Sequence, residues 1–146
     1  MRRRRLKFSD YYHNIILNEL AEIYQIDKDR IFLGSRKKEI IFAKRMYIYI
    51  LRNMFGLTIM QIAKITNLHH SSIIHHSRKF EFFYSNYSHD SEAFNRVENR
   101  VIEVELEEEI LGLEDRQIKI KDSLTKLYKI KKEKNDRQER EGLLTK

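Results

Sequence analysis

The chain contains no proline and only four glycines in 146 residues. Proline and glycine end helices and form the tight turns that sandwiches and barrels need many times over. Charged residues make up 35% of the chain and apolar residues 41%, a balance that suits a soluble, largely helical protein. We therefore predict an all-α protein with one cored domain, or with a small domain plus an extension.

Apolar residues recur at helical spacing through the first third of the chain. One predicted helix begins at Asp10, and a second covers residues 39–55 and ends at Gly56. The second helix carries two adjacent apolar rows, which is typical of a central, mostly buried helix. The pattern places Glu39, Arg45, Arg52 and Asn53 on its outer side. The basic loop "GSRKKE", opened by Gly34, lies between them.

Two shorter helices follow, separated by a few residues. Thr58 and Gln61 stand in the spacing of a capping box, so they predict the start of a short helix that ends near Thr66. After a turn at Asn67-Leu68, the stretch "HSSIIHHSRKFEFF" predicts another helix, with His76 on its inward row. This order is that of a helix-turn-helix, although two short helices in any all-α domain can look alike.

The positive charge is confined to the first part of the chain. Residues 1–90 hold 16 Lys and Arg against 8 Asp and Glu, whereas residues 91–146 hold 13 against 14. The N-terminal part therefore suits an acidic partner. Residues 1–9 are predicted to form a basic N-terminal arm, in which Arg2–Arg5 are disordered. With no cysteine and no apolar run of membrane-spanning length, the expected location is the cytoplasm.

Four of the six histidines are His69, His70, His75 and His76. Their spacing differs from the i and i+4 pair of helical metal sites, and no Asp, Glu or Cys lies near them in sequence. No Ser/His/Asp arrangement and no glycine-rich phosphate loop occurs. We therefore expect no enzyme, no metal, no cofactor and no small-molecule substrate. Residues that open a recognition helix face base edges in the major groove, where Ser hydroxyls and His N–H groups form hydrogen bonds.

The stretches "ILNELAEIYQIDKDRIFLGSRKKEIIFAKRMYIYIL" and "LTIMQIAKITNLHHSSIIHHSRKF" cover nearly half of the chain. They resemble the C-terminal duplex-DNA-binding domain of the bacterial replication initiator DnaA, a TrpR-like helix-turn-helix. The most specific part is "HSSIIHHSRKF", which parallels the family signature. The family's acidic residue before the signature histidine is replaced by His69, and the turn lacks its glycines. We also expect His69 to contact DNA, because it adjoins the signature histidine.

The resemblance implies a role for each matching position. Lys38 stands where the family places an arginine in the minor groove, and His70, Ser71 and Ser72 stand where bases are read in the major groove. The positions in segments close to phosphates are Lys44, Thr58, Gln61, His75, Arg78 and Lys79. Because lysine is less favoured than arginine in a narrow A·T groove, and the acidic reader is lost, the DNA sequence preferred can differ from the family's.

The last third of the chain predicts a charged helical extension over residues 91–135 and a flexible tail over residues 136–146. A seam from Leu106 to Leu127 has the 4-3 spacing of a coiled coil, interrupted by Gln117 and by Gly112. Two alternatives remain open: a homodimer through residues 106–127, or a helical hairpin that folds back on the domain. An acidic block at 103–115 and a basic block at 116–140 could pair antiparallel in either case.

These observations predict a DnaA-like helix-turn-helix domain over residues 10–85 that binds double-stranded DNA with sequence preference and without catalysis. The role would lie in replication initiation or its regulation, or in transcription control, in a phage or mobile element. An alternative is a structural or adaptor protein that kept the fold and works through its C-terminal helices. A repressor with an unrelated helix-turn-helix is a further alternative, distinguished by the DNA site that it selects.

Overall fold

A computed structural model describes residues 6–86 and 88–144 of the chain. Its elements are α1 (Asp10–Tyr24), a 3-10 turn (Lys28–Arg30), α2 (Lys38–Asn53), α3 (Ile59–Thr66), α4 (His70–Asn86) and α5 (Ser88–Leu144). No strand occurs among these residues, so the prediction of an all-α fold is confirmed. None of the described helices combines the length and apolarity that crossing a membrane requires.

Part of the segment predicted as a basic arm is packed against the domain. The N–H of Leu6 donates to the carbonyl of Met54 at 3.3 Å, and the Phe8 ring meets the Phe55 ring edge-on at 5.3 Å. Ser9 then caps α1, its hydroxyl accepting from the N–H of Tyr12 at 3.5 Å. Residues 6–9 of the predicted arm are therefore held against the domain by a backbone hydrogen bond, by the Phe8 ring and by the Ser9 cap. Residues 1–5, where disorder is predicted, lie outside the described part.

Helix α2 is the central element, as its two apolar rows predicted. Ala43, Met46, Tyr47 and Ile50 are fully buried, and the helix packs against α1, α3 and α4. A helix that is apolar over most of its circumference must be covered by neighbours on most sides. The shorter helices are therefore arranged around α2.

Helices α3 and α4 form the predicted helix-turn-helix. The capping box at the start of α3 is confirmed: the N–H of Gln61 donates to Thr58 Oγ1 at 3.2 Å, and the N–H of Thr58 donates to Gln61 Oε1 at 2.9 Å. The left-handed backbone of Asn67 (φ 57°) ends α3, a conformation that asparagine tolerates better than most residues. Ile62 on α3 and Ile73 on α4 are fully buried.

The first compact unit ends at Glu103, later than the boundary predicted at residue 85. It includes the start of α5, where Phe94, Val97 and Val101 are buried. The Phe94 ring lies 5.3 Å from the Tyr49 ring. Arg96 forms ion pairs with α1, at 3.3 Å to Glu19 and 3.0 Å to Glu22. Those side chains make the opening of the predicted extension part of the domain.

The second compact unit begins at Val104 and is helical as far as Leu144. The hairpin alternative was wrong, because α5 continues through Gly112 without a turn. The tail predicted as flexible from residue 136 is also helical up to Leu144. Its sequence, free of proline and rich in Glu, Arg and Lys, favours helix. Residues 145 and 146 lie outside the described part.

The attachment of α3 depends on Ile62, its one fully buried apolar side chain. Ile62→Ala should lower the free energy of unfolding by about 2–5 kcal/mol, because it removes buried methylene groups and leaves a cavity. Met60→Ala, a truncation in the same helix at an exposed position, should cost about 0.5 kcal/mol or less. Urea unfolding followed by circular dichroism measures both; equal losses would contradict this account of α3.

Candidate nucleic-acid interface

The exposed face of α4 carries polar and basic side chains in register. Ser71, His75 and Arg78 are exposed and follow one another at i, i+4 and i+7, so they lie along one stripe of the helix. Together with Ile74, Lys79 and Phe82 they line a shallow open groove. The structure thus brings together four of the predicted DNA-binding residues on a surface that a polyanion can reach.

A histidine caps the N-terminus of α4. The N–H of Ser71 donates to His69 Nδ1 at 3.2 Å, and the N–H of Ile73 donates to the His69 carbonyl at 3.2 Å. The Ser71 hydroxyl lies 2.7 Å from the same imidazole nitrogen. His69, predicted as a DNA contact, therefore acts as the N-cap of α4, a position usually filled by Ser, Thr, Asp or Asn. His70 follows it as an exposed residue.

The remaining predicted residues of the two short helices differ in accessibility. Ser72 is half-buried beside the exposed Ser71. Thr58 and Gln61 are exposed at the start of α3, where their side chains bond to each other's backbone. That end of α3 still presents the positive end of a helix dipole to the surface.

Lys44 does not belong to the exposed surface. It lies on an apolar row of α2, only 7% of its area is exposed, and burial lowers the pKa of its ammonium group. A side chain enclosed in this way offers little area to a phosphate. Lys44 is therefore less accessible to a phosphate than the exposed cations of α4, and its contact with DNA stays a prediction.

Three exposed cations lie in and next to the basic loop before α2, including the predicted Lys38. Lys38 is the first residue of α2 rather than part of the loop, and its Nζ lies 5.4 Å from the centre of the Phe42 ring. Arg36 and Lys37 are the exposed cations of the loop itself. The N–H of Lys37 donates to Ser35 Oγ at 3.2 Å, which constrains the backbone there.

Sequence reasoning missed Arg36 and Arg52 as candidates. Arg36 could have been recognised as the one arginine of "GSRKKE". Arg52, in the last turn of α2, lines a hollow with Ile59 of α3 and Arg78 of α4. Glu81 also lines this hollow, so it is not uniformly basic. Only the packing of three helices brings Arg52 beside the recognition helix, and no local pattern marks it.

His76 lies half-buried on the inner side of α4, as predicted. Its Nδ1 accepts a hydrogen bond from Nε of Arg45 at 3.3 Å, which joins α4 to α2. Burial, helped by the positive charges of Arg45, Lys44 and His75, lowers the pKa of His76 to about 4. The neutral ring is therefore the stable form at neutral pH. Arg45, predicted to lie outside, is half-buried at this contact.

The four histidines occupy separate environments. His69 caps α4, His70 and His75 are exposed, and His76 faces inward. Across residues 6–86 and 88–144, no three His, Asp or Glu side chains come together in a way that could hold a metal ion. The exposed His70 and His75 can therefore form hydrogen bonds to a ligand at the surface, whereas His69 and His76 contribute to the structure of α4 and its packing.

The pKa of His76 makes stability depend on pH in a defined direction. Above its ordinary value of 6.5 both folded and unfolded states are neutral, and its contribution is complete. As the pH falls from 6.5 toward about 4, the unfolded chain binds a proton that the folded chain refuses, so stability declines. The pKa of His13 is also lowered, mainly by burial, and adds to the decline.

When the pH is lowered from about 7 to about 5, the free energy of unfolding of His76→Gln should therefore fall less than that of the wild type. The part of the pH dependence that comes from His13 should remain. Urea unfolding curves at the two pH values measure the difference. His75→Gln is the matched control, because the neighbouring imidazole is exposed; it should keep the wild-type slope. If His75→Gln flattened the curve and His76→Gln did not, the assignment to His76 would be wrong.

Comparison with known proteins identifies the region that carries this surface. The model of the family described as "Bacterial dnaA protein helix-turn-helix" matches residues 13–80. The chain is 28% identical over 82 residues to the chromosomal replication initiator protein DnaA of Pseudothermotoga lettingae, covering 52% of this chain and 18% of that protein. It is 31% identical over 68 residues to the protein of the same name from Kosmotoga olearia, covering 47% of this chain and 15% of that protein. The chain thus spans less than a fifth of the length of these relatives.

Proposed function

We propose that this chain, in which residues 13–80 form a helix-turn-helix domain of the bacterial DnaA type, binds duplex DNA with sequence preference. The observation that carries the proposal is the exposed stripe of Ser71, His75 and Arg78 on the second helix of that motif. In helix-turn-helix proteins this helix enters the major groove and its N-terminal residues contact base edges. The domain type is a binding module, so the proposal involves no catalysis.

Base reading is assigned to the first turn of α4. His70 and Ser71 are exposed there, and an imidazole and a hydroxyl can each donate or accept a hydrogen bond at a base edge. The half-buried Ser72 has less area to offer. His69 would act mainly by fixing the Ser71 backbone through its cap, and so would set the angle at which the readers face the groove.

Phosphate contacts are assigned to the cations around α4. Arg78 and Lys79 lie on its exposed surface, and Arg52 lines the adjoining hollow. The N-terminus of α3, with its positive dipole end, lies at the same hollow through Ile59. Such contacts position the protein on the duplex without reading sequence, and they make affinity fall as salt rises.

The exposed loop before α2 suits the minor groove. Arg36 has the planar, weakly hydrated head group that narrow A·T-rich minor grooves attract more strongly than lysine. Lys38, held in the first turn of α2 with its ammonium over Phe42, is a second candidate that the family resemblance favours. We assign the larger share to Arg36.

A role in DNA replication is the biological setting that we propose. The two relatives are named as chromosomal replication initiators, and this chain matches only their helix-turn-helix segment. A chain that carries this binding domain is suited to bind initiator sites as an accessory factor, or to compete with the initiator for those sites. A replication role and a transcription role can be distinguished by selecting bound duplexes from a random library at near-physiological salt. Enrichment of an A·T-rich nonamer supports initiator-like recognition, and enrichment of an unrelated motif supports transcription control.

Ser71→Glu should abolish sequence-specific binding, because it places a carboxylate against the groove floor and the phosphates. We expect specific affinity to fall to the non-specific level, a loss of roughly 10³-fold or more, in fluorescence anisotropy with the selected duplex. Ser85→Glu introduces the same charge at an exposed position near the other end of α4 and should leave binding within a fewfold of the wild type. If both variants bind like the wild type, the adaptor alternative is favoured instead.

Arg36→Ala should weaken binding more than Lys38→Ala and should reduce the preference for A·T-rich flanking sequence. The expected loss for Arg36→Ala is about 1–3 kcal/mol of binding free energy, and both variants should show a shallower dependence of log K on log salt. Anisotropy titrations over a series of salt concentrations give both quantities. A larger loss for Lys38→Ala would return the minor-groove role to Lys38.

A further inference from the structure

The second compact unit carries an uncovered apolar stripe. Leu113 and Ile120 are each 60% exposed on α5, and they belong to a row whose members repeat at the 4-3 spacing of a heptad pattern. The apolar members of that row are Leu106, Ile110, Leu113, Ile120, Leu124 and Leu127, all exposed. Six aliphatic side chains along one face of a helix are more than scattered surface residues, and such a face marks an interaction site.

The charges beside this stripe are divided along the helix. Residues 103–115 contain seven acidic and no basic residues, whereas residues 116–140 contain ten basic and four acidic residues. The change of sign falls close to the middle of the stripe, next to Gln117. Lys119 and Asp115 form an ion pair at 3.1 Å, which joins the two blocks at their border.

We propose that α5 pairs with a second copy of this chain as an antiparallel coiled coil through the stripe from Leu106 to Leu127. An antiparallel arrangement lays the acidic block of each copy along the basic block of the other, whereas a parallel arrangement places like charges side by side. The stripe and its flanking charges are therefore complementary to themselves under a two-fold axis. The proposal does not rest on the proposed DNA binding.

The heptad pattern also gives a register. With the two-fold axis between residues 118 and 119, Ile110 faces Leu127 of the second copy and Leu113 faces Leu124. Gln117 then faces Ile120, and a polar residue inside a seam lowers stability while it disfavours other registers. In this register residues 103–115 lie along residues 122–134, which hold five lysines against Asp122 and Glu133.

The first test is the mass of the full chain in solution, measured by sedimentation equilibrium at roughly 50 µM, where a micromolar dimer is populated. We expect a dimer for the wild type and a monomer for the double variant Leu113→Gln with Ile120→Gln. The matched control is Leu111→Gln with Ile118→Gln, which makes the same two changes two positions earlier. Leu111 and Ile118 are 65% and 59% exposed but lie off the stripe, so this control should remain dimeric.

The second test determines orientation by energy transfer. The chain has no cysteine, so Glu107→Cys or Lys129→Cys gives a single labelling site at an exposed position. These two sites lie about 33 Å apart along one helix. The dye pair must have a Förster distance well below this separation, so that transfer is strong only between adjacent sites. Antiparallel pairing then predicts strong transfer between a copy labelled at residue 107 and a copy labelled at residue 129, and weak transfer between two copies labelled at residue 107.

A monomeric wild type, or strong transfer between two residue-107 labels, would overturn the proposal. So would a control variant that dissociates as readily as the stripe variant. Salt provides an independent check: attraction between opposite blocks is screened, so the dissociation constant should rise several-fold with added salt, whereas a parallel dimer would tighten. None of these measurements contains DNA, so failure here leaves the proposed DNA binding untouched.

Discussion

The burial of α2 is the constraint on which the rest of the domain depends. A helix enclosed on most sides must place its polar side chains within the packing, and each then needs a partner. The Tyr47 hydroxyl is hydrogen-bonded to His13 of α1, and Arg45 donates to His76 of α4. These bonds tie the outer helices to α2 at fixed positions. The recognition helix is thereby oriented by a polar contact as well as by the burial of Ile73 and Phe80.

Periodicity predicted the helices well but placed side chains less reliably. Two adjacent apolar rows identified α2 as central, and the Thr58 and Gln61 spacing located α3 to the residue, since both signals are local. The same rows assigned Arg45 to the outside, because a helical pattern describes directions and does not reveal that a neighbouring histidine accepts a hydrogen bond. Likewise, Lys44 was assigned to DNA by resemblance although it lies in an apolar row. In that conflict the physical pattern was the better guide to burial.

The candidate interface was predictable in outline, and its details depend on helix ends. Lys37 precedes α2 without any side-chain capping bond, so no local signal announces that the helix begins at Lys38 rather than later. With this boundary, Arg36 and Lys37 are the exposed cations of the loop, and Lys38 is the exposed first residue of α2. The cap of α4 was equally hard to foresee, because histidine is not a preferred N-cap and a histidine before a recognition helix suggests a reader. The position of Arg52 required the packing of three helices.

Helix α5 carries apolar residues at helical spacing in both compact units, but these residues are buried in the first unit and exposed in the second. Phe94, Val97 and Val101 lie on a stripe that the first unit covers, while the stripe through Leu113 and Ile120 in the second unit is uncovered. A single helix-turn-helix domain binds its site with modest affinity, since one recognition helix reaches only a few base pairs. Joining two copies makes the second binding event intramolecular and can raise affinity by about 10²–10⁴-fold where the sites allow both to engage. On the proposed pairing, the apolar stripe and its self-complementary charges would provide the coupling that a small DNA-binding domain needs.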